Sequence, residues 1–252
     1  MGKFHIRPDA IDGERVRFDA EEARHLSRVL RLSPGAVIQA IDGTGMEYTV
    51  RMEEISPKVG VGTILLRAPA LTESPLALTL AQGVPKGDKM EWIVEKATEL
   101  GVNRIIPLLT ERVVIRLDPG RWRERARRWQ RVAKESAKQA GRGKIPVVEA
   151  PLPFADLSFR KEEIDLALCF WEGERRGLRA LLERRDTPPR SALLVVGPEG
   201  GLSLPEVEAL RAKGCPSVGL GPRILRTESA GLVGLSLLQY LYGDLGGSPP
   251  GL

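Results

Sequence analysis

The residues best placed to do chemistry lie in two glycine-rich stretches late in the chain, Gly197-Pro198-Glu199-Gly200-Gly201 and Leu220-Gly221-Pro222-Arg223-Ile224-Leu225-Arg226-Thr227-Glu228. The first begins where the apolar run Ala192-Leu193-Leu194-Val195-Val196 stops, and the second follows Val218-Gly219-Leu220. Helical patterns take over at about Pro205 and near Thr227. At the carboxyl edge of a parallel sheet, glycine lets a ligand approach the backbone closely, and backbone N–H and C=O groups can then read an adenine or ribose edge. The active site is expected at these two loops. Neither G-x-G-x-x-G after a first strand nor G-x-x-x-x-G-K-[ST] occurs, which argues against the common dinucleotide and P-loop sites.

Two kinds of pattern surround the loops. From Phe4 to about Arg67 short alternating segments at 16–18, 37–41, 47–52 and 62–66 predict a small β-barrel, interrupted by a helix from roughly Ala20 to Leu32. Asp42-Gly43 with Thr44-Gly45 is the strongest hairpin signal. The stretch from Ala68 to Pro75, with two prolines, marks a boundary between a domain at 1–70 and another at 75–252. Strands then alternate with helices. Strands are expected at 76–84, 104–109, 146–149, 164–170, 192–196 and 217–220, and helices at 88–100, 122–140, 177–184, 205–213 and 227–242. That order predicts an α/β domain with a mostly parallel sheet.

Composition bounds the partners. With 252 residues, 42% hydrophobic and 28% charged, the chain reads as a soluble globular protein. Its 38 Lys and Arg against 33 Asp and Glu, a net +5, favour an anionic partner. The excess is concentrated between Arg121 and Lys144, where the only acids are Glu124 and Glu135. At helical spacing Trp122, Ala126, Trp129, Ala133, Ala137 and Ala140 form one apolar stripe, so the tryptophans read as core anchors and the arginines are left to meet phosphates. Cys169 and Cys215 have no CxxC spacing and read as reduced core thiols of a cytoplasmic protein. Two histidines do not make a His-rich metal site, and no metal is expected. The longest apolar stretch, 230–242, is too short to span a membrane, and no export signal is expected.

The two loops together, Gly-Pro-Glu-Gly-Gly and Leu-Gly-x-Arg-Ile-Leu-Arg-Thr-Glu, closely resemble the ribosomal RNA small subunit methyltransferase E family of the SPOUT superfamily. So do Gly83-x-Pro85-Lys86-Gly87-Asp88-Lys89-Met90-Glu91-Trp92, Lys96-Ala97-Thr98-Glu99-Leu100-Gly101-Val102, Pro107, Thr110-Glu111-Arg112 and Gln139-Ala140-Gly141-Arg142. His25-Leu26-x-x-Val29-Leu30-Arg31 resembles that family's amino-terminal domain. The resemblance implies a SPOUT-type α/β domain with a carboxyl-terminal trefoil knot, behind a small PUA-like β-barrel. It implies methylation of N3 of one uridine in 16S rRNA by S-adenosylmethionine, on the assembled small subunit, by a homodimer. Lys138 stands where the family often has Glu, which leaves an acidic role there in doubt.

On this resemblance Arg226 would stabilise negative charge on the uracil carbonyl oxygens, and Glu199 or Glu228 would receive the N3 proton. The simpler alternatives are that Glu228 favours the positive end of the last helix, with Thr227 as its N-cap, and that Glu199 only orients its own loop. Backbone groups of Gly197, Gly200, Leu220, Gly221 and Leu225 would surround the adenosine, with Ile224 and Leu225 in apolar contact. His25, Arg28, Arg31, Lys86, Arg112 and Arg142 would contact RNA, Arg142 nearest the target nucleotide. Two other readings stay open: a related SPOUT enzyme with another acceptor atom, and a noncatalytic ribosome-assembly factor.

Overall fold

The computed structural model describes residues 3–115, 117–160, 162–183 and 187–247. Its contacts divide the chain into two units, Met1–Glu73 with Lys134–Ile145 and Ser74–Ala133 with Pro146–Leu252.

In the first unit, alternating apolar residues give β1 (Phe4–His5), β2 (Ile11–Asp12), β3 (Arg15–Phe18), β4 (Val37–Ile41), β5 (Met46–Ile55) and β6 (Gly60–Pro69). They form one sheet in the order β1-β4-β5-β6-β3-β2, antiparallel except where β1 pairs β4. Every second side chain turns inward, so Phe4, Val16, Phe18, Ile38, Val50 and Met52 share one core. At the 42–45 turn the Asp42 carboxylate accepts the Thr44 amide at 2.8 Å and its hydroxyl at 2.9 Å, while Gly43 and Gly45 take φ of +78° and +116°.

Asp19 caps α1 (Ala20–Arg24) by accepting the amides of Glu21 and Glu22. The helix continues as a π-helical turn, His25–Val29, and ends at Leu30, short of the expected Leu32. Arg31 follows at φ +52°, the one non-glycine with positive φ among the described residues.

The second unit carries β7 (Ala77–Gly83), α2 (Lys89–Glu99), β8 (Arg104–Leu109), α3 (Pro119–Gln139) as far as Ala133, β9 (Val147–Val148), β10 (Leu152–Pro153) and β11 (Leu166–Phe170). Then come α4 (Leu178–Leu182), β12 (Ser191–Val196), α5 (Leu204–Ala212), β13 (Ser217–Val218) and α6 (Thr227–Tyr242). The strands run parallel in the order β10-β8-β7-β12-β11-β13, with β9 also paired to β8. Both faces of this sheet are covered, one by each of two apolar clusters, which is why β11 and β12 read as nearly unbroken apolar runs. The two-residue β10 was not expected. Arg184, the expected end of the 177–184 helix, lies outside the described residues.

Trp122, Ala126, Trp129 and Ala133 are buried in the second unit's core, as the stripe predicts. Ala140 is exposed instead, because α3 stops at Gln139 and Gly141 turns the chain at φ +71°. In the first unit Lys138 Nζ lies 2.7 Å from Glu22 Oε1, and Arg142 Nη2 lies 2.8 Å from Glu73 Oε2. Close packing of α6 on the sheet needs glycine. A Cβ at Gly231 would meet Gln82 Oε1 at 3.2 Å, and one at Gly234 would overlap the Phe170 ring.

Candidate active site

Strands β12, β11 and β13 are neighbours and point the same way, so the loops that follow them gather along one sheet edge. A cavity of about 510 Å³ opens there, lined by parts of 170–174, 196–201 and 218–230 and by Lys89 from α2. All nine residues expected to bind donor or catalyse line it: Gly197, Glu199, Gly200, Leu220, Gly221, Ile224, Leu225, Arg226 and Glu228.

Steric demands set the first loop. A Cβ at Gly197 would lie 2.6 Å from the Gly201 carbonyl carbon, and one at Gly83 would lie 2.5 Å from the Pro198 nitrogen. The turn therefore closes on itself and against the end of β7. Gly221 in the second loop has φ +95° with nothing within 4 Å of a Cβ, so its backbone faces open space.

A buried amide joins the two loops. Gln82 Nε2 donates to Thr227 Oγ1 at 2.9 Å and reaches the Gly83 and Gly197 carbonyls at 3.1 and 3.3 Å. Thr227 Oγ1 in turn donates to the Gly197 carbonyl at 2.5 Å. Thr227 is the first residue of α6 and Arg226 occupies the N-cap position, so the threonine ties loops together instead of capping the helix.

The carboxylates converge on one ammonium. Lys89 Nζ lies 3.3 Å from Glu199 Oε1 and 3.4 Å from Glu228 Oε2. Glu199 Oε1 also accepts the Lys86 amide at 3.0 Å. Burial pushes the Glu199 pKa up, but its own and the Lys86 amide, with the Lys89 ammonium, outweigh burial and hold it below the ordinary carboxylate range. The Arg226 guanidinium is exposed and has no hydrogen-bond or ion-pair partner among the described residues. Ile224 is 86% exposed.

Two cavity residues, Glu172 and Glu174, come from the loop after β11 and were not foreseen. The Arg176 amide at 3.0 Å and the Ser217 hydroxyl at 2.7 Å, with Arg211, hold the Glu174 pKa at about 2. Gln82 and Lys89 were missed as site residues too. The only signal for either was the 83–92 stretch, which includes Lys89 without placing it.

Of the residues expected at RNA, Lys86 is exposed and Arg112 Nη1 donates to the Gly200 carbonyl at 2.6 Å. The other four belong to the first unit. There Arg28 and Arg31 are exposed and the His25 ring packs on Phe4 with centroids 5.5 Å apart. Arg142 is only 3% exposed and turned toward Glu73, not toward solvent.

Cys169 and Cys215 are buried free thiols, and burial pushes the Cys169 pKa up to about 12. Among the described residues no group of three or more His, Cys, Asp or Glu could hold a metal ion, and no helix is long and apolar enough to cross a membrane.

Residues 72–239 match the RNA methyltransferase domain family, and residues 18–61 match the RNA methyltransferase PUA domain family. The chain is 36% identical over 226 residues to the ribosomal RNA small subunit methyltransferase E of Bacillus subtilis, covering 87% of this chain and 88% of that one. It is 33% identical over 238 residues to the protein of the same name from Synechocystis, covering 94% and 76%. A solved ribosomal RNA small subunit methyltransferase E from Neisseria gonorrhoeae, bound to S-adenosyl methionine, superposes with a TM-score of 0.86 at 31% identity, over 97% of this chain and 99% of that one. With both the loops and the whole-chain likeness in agreement, the chain belongs to the ribosomal RNA small subunit methyltransferase E family.

Proposed function

We propose that this protein transfers the methyl group of S-adenosylmethionine to N3 of one uridine in 16S rRNA, on the assembled small subunit. The observation that carries the reading is the cavity framed by the two glycine loops, with the exposed Arg226 at its wall. The donor bound in the Neisseria gonorrhoeae relative supports the choice of S-adenosylmethionine. Backbone groups of Gly197, Gly200, Leu220, Gly221 and Leu225 hold its adenosine, and Ile224 and Leu225 supply apolar contact.

In the reaction the methyl–sulfur bond breaks as the methyl–N3 bond forms, the sulfonium becomes a neutral thioether, and the N3 proton leaves. An in-line displacement of this kind needs chiefly position and exclusion of water, and no metal. Arg226 stabilises negative charge on the uracil carbonyl oxygens. Either Glu199 or Glu228 receives the proton.

Residues 1–70 serve as a PUA-like RNA-binding barrel and residues 75–252 as a SPOUT methyltransferase domain with a trefoil knot. Arg123, Arg127 and Arg131 are exposed at i, i+4 and i+8 on α3 and have no hydrogen-bond or ion-pair partner among the described residues, a geometry suited to phosphates. With Lys86, Arg112, His25, Arg28 and Arg31 they form the RNA-contacting set. Arg142 joins it only by leaving Glu73. Exposed Val233, Leu237, Tyr240 and Leu241 give α6 an apolar stripe suited to a homodimer. A ribosomal substrate places the protein in the cytoplasm.

The test is to incubate the full chain with labelled donor and either free 16S rRNA or small subunits lacking the modification, then locate the label by mass spectrometry. Label at uridine N3 is expected, and Arg226→Ala should remove it at saturating donor without weakening donor binding. Label on another atom would establish the related-enzyme reading. No transfer, with no thermal stabilisation by donor, would establish the assembly-factor reading.

A further inference from the structure

Lys89 is a positioning residue for methyl transfer. This inference, which we propose from its contacts, rests on the methyltransferase reading above and assigns a role to a side chain outside the two glycine loops. Lys89 opens α2, yet its ammonium reaches both Glu199 in the loop after β12 and Glu228 in the first turn of α6. Among the described residues it is therefore the one cation that touches the acid of each loop, and it lines the cavity itself.

Two carboxylates meeting one ammonium repel each other as soon as it is removed. Either the loops then move apart or one acid takes up a proton. The first outcome displaces the acids and the second neutralises one of them, so either lowers the rate of a transfer that draws on an anionic acceptor beside the uridine. The contact is partly shielded, with the Glu228 side chain 15% exposed and Lys89 38%, so solvent does not erase its effect. Glu199 has further support from the Lys86 amide, at the amino end of α2 where the helix dipole favours an anion. The Glu228 carboxylate has no hydrogen-bond or ion-pair partner besides Lys89 among the described residues, so it is the group that Lys89 chiefly holds.

The experiment measures kcat, KM for donor and RNA substrate, and donor affinity for wild type, Lys89→Met, Lys89→Arg, Glu228→Gln and the double variant Lys89→Met/Glu228→Gln. Lys89→Met should lower kcat at least tenfold, with KM for the RNA substrate changed less than threefold. Lys89→Arg should recover at least a third of the wild-type kcat. The double variant should be no slower than the slower single variant, because both changes break one cluster. The proposal is overturned if Lys89→Met keeps kcat within threefold of wild type, if Lys89→Arg is as slow as Lys89→Met, or if the two losses multiply. Should Lys89→Met fail to fold by circular dichroism, Lys89→Gln and Lys89→Gln/Glu228→Gln replace the two Met variants and the same non-additivity decides. If wild type itself transfers no methyl group, the methyltransferase reading fails, a result separate from any of these.

Discussion

Thr227→Val separates the hydrogen bonds of the loop junction from its packing. Valine keeps the branched shape of a side chain that is only 7% exposed, and removes just the hydroxyl. Two buried hydrogen bonds go with it: donation to the Gly197 carbonyl and acceptance from Gln82. Each contributes about 1 kcal/mol, and an orphaned buried partner adds to the loss. Gln82 still reaches the Gly83 and Gly197 carbonyls, so the orphan penalty is partly relieved and the expected total is about 2 kcal/mol. For a unit of this size that corresponds to a melting temperature about 4–8 °C lower. Because the junction holds both cavity loops, donor affinity should fall about tenfold, equivalent to about 1.4 kcal/mol. Scanning calorimetry and titration calorimetry with S-adenosylmethionine read the two effects. Thr227→Ser keeps the hydroxyl and should recover more than half of each. A Thr227→Val protein that melts within about 1 °C of wild type and binds donor within about twofold would refute the reasoning.

Gly221→Val forces a branched residue into φ +95° and should weaken donor binding about tenfold or more, while circular dichroism shows the first unit still folded; unchanged calorimetric affinity would remove Gly221 from the donor site. Replacing Arg123, Arg127 and Arg131 together by Ala should flatten the dependence of log affinity for rRNA on log salt by about 2–3, roughly one for each phosphate no longer neutralised, whereas an unchanged slope would place those arginines in solvent. Glu174 has a folded pKa of about 2 against an ordinary 4.5, so the stability it supplies is complete above that ordinary value and lost as the pH falls toward about 2. Glu174→Gln should therefore show a shallower loss of melting temperature across that window than wild type, and parallel curves would exclude the linkage.

The loops were legible because glycine at 197 and 221 answers to local sterics and backbone conformation, whereas Gly83 is required by Pro198 more than a hundred residues on. Strands 37–41 and 104–109 and the 227–242 helix were legible through periodicity. What was hidden depended on partners distant in sequence. Gln82 and Lys89 look like an ordinary strand amide and an ordinary first-turn lysine, and only the sheet order brings them to Thr227, Glu199 and Glu228. Arg142 has the type and setting of a nucleotide contact, and nothing local announces that Glu73 will claim it. The π-helical turn at His25–Val29 and the left-handed Arg31 break helical periodicity without glycine or proline to mark the place. Two residues ending in proline, as in β10, are too few to register as a strand.

The bond from Gln82 to Thr227 spans 145 residues, and it closes only after β12 has slotted between β7 and β11 and α6 has settled above them. During synthesis, then, a ribosome must deliver nearly the whole second unit before the cavity between the two glycine loops can exist even transiently. A half-made copy therefore has no such cavity, and the last helix to leave the ribosome is the one that completes its wall.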